Sequence, residues 1–358
     1  MSNTRVTPFH AAPQHGPRPL PLFLHILREQ TAASREREAA ALAGLAAYQT
    51  ARRGKGRRLA GVRYRQGRAR LRAYSRPSEA RAVIVVPSLI NPPTILDLTP
   101  HQSLMRWLAE QGFNPFLLDW GSPGADARDM DLTQHVERLL IPLIRRFKRP
   151  PVLAGYCLGG TLAAGAAAAT PVAGLAMVAA PWHFAGFGSR AKADIAALWM
   201  GSRALCDAMG VVPMEVLQSG FWRLDPRRTI AKYERFASIA PRSQAARDFV
   251  ALEDWANAGA PLPFAAGRQL FDEFVAADLP GSGGWRIKGK TVDPRALDCP
   301  AIDFVSTSDR IVPAATASGI ASRHDVAAGH VGMIVGGKAR DQLWQPLADW
   351  ISAIPGTK

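Results

Sequence analysis

The sequence predicts the α/β class, a mostly parallel sheet covered on both faces by helices. Three observations carry this. From residue 81, short apolar strand-like runs alternate with helical runs. The stretch from Pro151 to Gly188 has no charged residue, yet its glycines, Pro171 and Pro181 break it into a strand, a turn, a helix and a second strand. The alternation stops near Trp182, gives way to helical patterns over 184–297, and resumes at "PAIDFVSTSD". A mainly helical insertion between late strands is a candidate cap.

Residues 1–19 are Pro-rich and predicted to be disordered. Leu22, Ile26, Leu42, Leu45 and Ala46 recur at helical spacing and predict one helix over 20–49, followed by a basic linker at 51–60. In "VRYRQGRARLRAY" apolar residues alternate with arginines about Gln66-Gly67, which predicts a hairpin with one wet face. "RAVIVVPS" is a buried strand. "HQSLMRWLAEQG" is a helix opened at Thr99-Pro100 and closed by Gly112. "FNPFLLDW" is a strand, residues 131–147 an amphipathic helix, "PPVLAGY" a strand, "CLGGTLAAGAAAA" a helix and "VAGLAMVAA" a strand. The domain organisation expected is a basic extension (1–60), a core (61–183 and 298–358) and a cap (184–297).

Composition narrows the function class. The 358 residues are 47% hydrophobic and 20% charged, as in an ordinary soluble globular protein. The net charge of +15 favours anions in general. The arginines between 52 and 76 are not interleaved as in a nucleic-acid reader, so a solvated sheet face is the preferred reading and no specific nucleic acid is expected. Cys157, Cys206 and Cys299 have no paired spacing, which argues against a disulfide framework or a Cys-based zinc site. "PLPLFLHIL" is short, broken by Pro21 and His25, and followed by charge, so it does not read as an export signal. A cytoplasmic protein without a transmembrane segment is expected. No phosphate-loop, dinucleotide or His-rich metal pattern is present, so no cofactor and no metal are expected.

The chemistry centres on Gly155-Tyr156-Cys157-Leu158-Gly159, a G-x-nucleophile-x-G pattern at a strand-to-helix junction. Such a turn is tight enough to require glycine at both ends of the nucleophile elbow, Gly155 and Gly159. It exposes Cys157 at the start of a helix, where the dipole favours thiolate. The Leu158 backbone N–H would supply half of an oxyanion hole. Downstream, Asp309 ends the strand in "DFVSTSDRIVP", and His330 lies in the loop-like "AGHVGMIV". Nucleophile, acid, histidine is the order of an α/β-hydrolase. Asp309 would orient the imidazole, and His330 would take the Cys157 proton. His324 competes for that role but precedes an apparent strand. His183 follows a strand end, with packing at least as good an account of it; Cys206 and Cys299 read as structural.

These motifs resemble the polyhydroxyalkanoate synthases. "GYCLGGT" is similar to their cysteine-bearing lipase-like box, and "VVPSLINPPTILDLTPHQSLMRWLAEQGFNPFLLDW" to a distinctive segment of that family. "SDRIVP" and "AGHVGMIV" resemble its aspartate and histidine motifs, and "FVALEDWANAGAPLPFAAGRQLFDEFV" the cap of the short catalytic subunits. The resemblance implies that Cys157 is acylated, that His330 is the base and Asp309 its support, and that Leu89 supplies a second oxyanion N–H. It implies 3-hydroxyacyl-CoA as substrate, with the CoA thioester entering as substrate and not as cofactor. It further implies a second synthase subunit or a granule surface as partner, and a homodimer. Two features depart from the family: Arg310 stands where histidine is usual, and residues 1–60 do not look like its N-terminal region. The alternative on the same triad is a hydrolase: a thioesterase, esterase or polyester depolymerase. A non-enzymatic reading gives the basic N-terminal region a nucleic acid or granule surface to bind.

Overall fold

The computed structural model describes residues 15–53, 58–75 and 79–356. The expectation of disorder over 1–19 therefore falls mostly outside the described residues, as does part of the 51–60 linker. The chain divides into two compact units. One comprises the described part of Met1–Gly56 with Asp225–Asn257; the other comprises Arg57–Leu224 and Ala258–Lys358. The segment 184–297 contributes to both.

The larger unit is built on an eight-stranded sheet. Its first six strands in sequence are β1 (Val62–Gln66), β2 (Ala69–Ala73), β3 (Ala82–Val86), β4 (Asn114–Asp119), β5 (Val152–Tyr156) and β6 (Gly174–Val178). The spatial order is β1-β2-β4-β3-β5-β6, then Ala301–Ser306, then Arg323–Val326. β1–β2 and β2–β4 pair antiparallel; every other neighbouring pair is parallel. β3, β5 and β6 are buried along their whole length, as their unbroken apolar sequences require when helices cover both faces. The hairpin turns at Gly67, whose φ of +52° suits glycine, and its outward Arg72 reaches Asp119 of β4 at 2.8 Å.

Helix ends follow local chemistry. The helix expected over 101–112 runs from Leu104–Glu110, because the Ser103 hydroxyl, and not Thr99-Pro100, caps it by accepting from the Arg106 N–H at 3.1 Å. The helix expected over 131–147 opens with a reciprocal Asp131/Gln134 capping box. It passes through a π-helical stretch, His135–Leu140, before Ile141–Ile144. Pro142 supplies no N–H, and the wider turn before it accommodates the missing bond. No strand longer than two residues occurs among the described residues of 184–297.

Among its described residues the smaller unit has four helices: Leu20–Thr31, Arg35–Thr50, Pro226–Phe236 and Gln244–Ala256. The single helix expected over 20–49 is thus two. Ser34 sits extended at φ −151° and caps the second by accepting from the Arg37 N–H. Gly44 presses on the Tyr233 backbone, where a Cβ would lie 1.9 Å from the carbonyl oxygen. Tyr233 fills the centre, its ring edge-on to Phe23, Tyr48 and Phe249. Its hydroxyl donates to buried Glu253 at 2.8 Å, and Lys232 pairs with that carboxylate at 2.7 Å.

Candidate active site

β5 ends at Tyr156, a helix begins at Leu158 and runs to Ala169, and Cys157 is the single residue between them. It is half-buried, with φ +57° and ψ −137°, a conformation that costs a non-glycine residue free energy unless its surroundings fix it. They do. The Cys157 N–H donates to the Val178 carbonyl of β6 at 2.9 Å, and the Cys157 carbonyl accepts from the Gly160 N–H at 2.8 Å.

Close approach explains the glycines. A Cβ on Gly155 would stand 2.4 Å from the Gly160 Cα, and one on Gly159 would stand 2.2 Å from the Val86 carbonyl oxygen. Gly160, just past the elbow, is equally constrained: a Cβ there would stand 2.4 Å from the Ala180 Cβ. Next to it the buried Thr161 hydroxyl donates to the Pro181 carbonyl at 2.5 Å. The doubled glycine and the threonine of "GGT" were visible in the sequence. What they lock together is the nucleophile helix and the chain leaving β6.

Asp309 follows the strand Ala301–Ser306, and His330 follows the strand Arg323–Val326. Parallel pairing of these two strands brings both residues to the sheet end that carries Cys157. The Asp309 Oδ2 lies 2.5 Å from His330 Nδ1, and both residues are buried. The other carboxylate oxygen accepts from the backbone N–H groups of Ile311 and Val312 at 2.7 and 2.9 Å. Tyr156 holds the imidazole from below: its ring stacks on that of His330 at 5.0 Å and 28°, and its hydroxyl donates to the His330 carbonyl at 3.1 Å. Burial works against a charged imidazole here. The Asp309 carboxylate, hydrogen-bonded to the ring, and then Cys157 outweigh it and raise His330 to about 10. Cys157 is thus coupled electrostatically to the same imidazole that Asp309 orients.

The two oxyanion candidates differ in position. Leu158 is the first residue of its helix, where an N–H has no intrahelical acceptor. Leu89 lies two residues beyond Pro87 on the chain leaving β3, and its N–H has no hydrogen-bond partner among the described residues. The next N–H, that of Ile90, is taken by the Ser88 hydroxyl at 3.2 Å.

Residues 83–339 match the model of the Alpha/beta hydrolase family. The chain belongs to that family. Curated relatives carry the motif resemblance across most of the chain. Poly(3-hydroxyalkanoate) polymerase subunit PhaC of Haloferax mediterranei is 28% identical over 310 residues, 81% of this chain and 63% of the relative. The protein of the same description from Haloarcula marismortui is 26% identical over 75% of this chain and 60% of its own length. That of Allochromatium vinosum is 24% identical over 81% of this chain and 87% of its own. The chain thus spans less than two thirds of the first two relatives and most of the third.

The other sequence candidates have different surroundings. His324 lies on the outermost strand with its ring 5.3 Å from Phe304. His183 donates its N–H to the Thr316 carbonyl at 3.1 Å on the chain leaving β6. Burial pushes the Cys206 thiol up; burial and then Asp298 push Cys299 up to about 11. Both stay protonated and inert near neutral pH. Among the described residues no cluster of His, Cys, Asp and Glu is placed to hold a metal, and no helix is long and apolar enough to cross a membrane.

Proposed function

We propose that this chain is a polyhydroxyalkanoate synthase-like acyltransferase that polymerises 3-hydroxyacyl-CoA. The observation that carries the reading is a cysteine, not a serine, at the elbow of an α/β-hydrolase whose curated relatives are poly(3-hydroxyalkanoate) polymerases. A cysteine exchanges a CoA thioester for an enzyme thioester of similar energy, so the acyl group stays activated for a further transfer.

The Cys157 thiolate attacks the thioester carbonyl, forming the C–S bond to the enzyme. The backbone N–H groups of Leu158 and Leu89 receive the developing oxyanion. As the intermediate collapses, the bond to CoA sulfur breaks and the His330 imidazolium gives its proton to the departing thiolate. Neutral His330, held by Asp309, then takes the proton of a second hydroxyacyl unit as its hydroxyl attacks the acyl-Cys157. The new ester forms, the Cys157–acyl bond breaks, and Cys157 leaves as thiolate beside imidazolium. The segment 184–297 is the proposed cap. CoA enters only as part of the substrate, with no resident cofactor. A second synthase subunit or a polyester granule surface in the cytoplasm, and a homodimer, belong to the same proposal.

The test is product analysis with 3-hydroxybutyryl-CoA. The proposal expects stoichiometric release of CoA together with chloroform-soluble polyester, both abolished in Cys157→Ala. Free 3-hydroxybutyrate as the sole acyl product would establish the hydrolase instead, and full activity in Cys157→Ala would overturn both.

A further inference from the structure

We infer that Trp120 is a positioning residue for the oxyanion loop, acting through the Pro87 carbonyl; this rests on the reading of Leu89 as a donor. Trp120 immediately follows β4 and is buried. Its indole Nε1–H donates to the Pro87 carbonyl at 3.0 Å, a carbonyl beyond the end of the β3 ladder. That bond fixes the peptide plane between Pro87 and Ser88. One residue on, the Ser88 hydroxyl fixes the Ile90 N–H. The peptides on either side of the Ser88–Leu89 peptide are therefore tied down by side chains, and the Leu89 N–H between them is left for a ligand. The same carbonyls touch the nucleophile helix: a Cβ on Gly159 would lie 2.5 Å from the Pro87 oxygen. Whatever fixes Pro87 thus fixes the loop against the turn that carries Leu158.

Trp120 has its own support. Its ring stands at 74° to that of His135, 6.0 Å away. His135 is fully buried, its Nδ1 2.5 Å from the Asp131 carbonyl and its Nε2 2.5 Å from an Arg68 guanidinium nitrogen. A proton on Nδ1 satisfies both contacts: Nδ1–H donates to Asp131 and Nε2 accepts from Arg68. Burial, despite the Asp131 bond, lowers His135 to about 4, so the imidazole behind Trp120 stays neutral at assay pH.

Packing alone would make Trp120→Phe a mild change, since an aromatic ring remains. Loss of a positioning bond would not be mild. The experiment compares 3-hydroxybutyryl-CoA with its dithioester analogue, whose carbonyl sulfur is a poor acceptor for amide donors. Wild type should turn over the oxo substrate much faster than the thiono one. Trp120→Phe should lower kcat on the oxo substrate about tenfold with KM nearly constant, and shrink the oxo-to-thiono ratio by a similar factor. Ser88→Ala, a small change that leaves the core intact, should give the same signature and decides the matter if Trp120→Phe does not fold. Unchanged kcat and ratio in these variants would overturn the positioning role and leave the donors standing. A wild-type ratio near unity would overturn the donor assignment itself, and the inference with it.

Discussion

Asp309→Asn tests the electrostatics of the triad most directly. His330 is raised from an ordinary 6.5 to about 10 although its burial alone would lower it. That net shift is worth about 5 kcal/mol in favour of the imidazolium. Asparagine keeps the shape of aspartate and removes the charge. One side-chain oxygen already accepts from both Ile311 and Val312, so the amide oxygen will stay there. The amide NH2 then faces His330 Nδ1 and donates to it, which drives the ring proton to the nitrogen facing Cys157. The base is left neutral and in the wrong tautomer. Its pKa should fall below 6.5, because burial persists while the largest opposing charge is gone. CoA release should drop by about 10³–10⁴-fold. Stability has a defined sign as well. A group raised on folding contributes fully below its unfolded value of about 6.5 and loses that contribution up to its folded value. Wild type should therefore lose about 1.4 kcal/mol per pH unit from this group between pH 6.5 and about 10, and the variant should not. Nitrogen-15 NMR of labelled histidine, denaturant unfolding at several pH values and steady-state CoA release measure the three quantities. A variant whose His330 still titrates near 10, or whose kcat stays within tenfold of wild type, would refute the reasoning.

Three further substitutions have expected outcomes. Gly160→Ala puts a methyl 2.4 Å from the Ala180 Cβ and should cost about 1–3 kcal/mol by denaturant unfolding; a neutral result would mean that the elbow does not need this contact. Tyr156→Phe keeps the stack on His330 but loses the bond to its carbonyl, so kcat should fall severalfold with about 1 kcal/mol less stability; unchanged kinetics would dismiss the hydroxyl. Gly44→Ala sets a methyl against the Tyr233 carbonyl oxygen and should destabilise the four-helix unit by about 3 kcal/mol. Hydrogen exchange should locate that loss in 20–50 and 226–256, and a uniform change across the chain would contradict it.

The central strands were legible because a strand covered on both faces must be apolar throughout, as in "AVIVV" of β3 and "GLAMV" of β6. The meeting of Cys157, Asp309 and His330 at one sheet end was legible for a related reason: each comes just past a strand end, and parallel strands bring such ends together. The break at Ser34 was not. The apolar spacing on either side is continuous, and only a capping serine before "RERE" marks the boundary. The π-helical turn before Pro142 and the hold of Trp120 on Pro87 were equally hidden, since neither leaves a periodic trace. The first depends on a local hydrogen-bond shift, and the second joins residues 33 apart in sequence.

On the proposed reading what remains is the choice of acceptor, and Cys157, Asp309 and His330 alone do not make it. His330 would take a proton from water or from a hydroxyacyl chain with the same geometry. Arg310, where synthases carry histidine, has an exposed side chain, while the Asp309 carboxylate is already engaged by His330, Ile311 and Val312. Selection of alcohol over water must come from the walls. In the larger unit the chain leaving β6 is aromatic: Trp182 meets Trp285 at 6.1 Å, Phe184 meets Phe274 at 5.6 Å, and Phe274 meets Trp285 at 5.2 Å. Polar anchors pin this group from two sides, the Phe184 N–H on Asp278 at 2.6 Å and the Trp285 indole on Thr133 at 2.9 Å. All four rings are almost wholly buried, so they form a rigid apolar backing to the chain leaving β6 and not a surface for substrate. On the proposed reading, exclusion of water from the site is what turns the acyl-enzyme from hydrolysis toward chain extension.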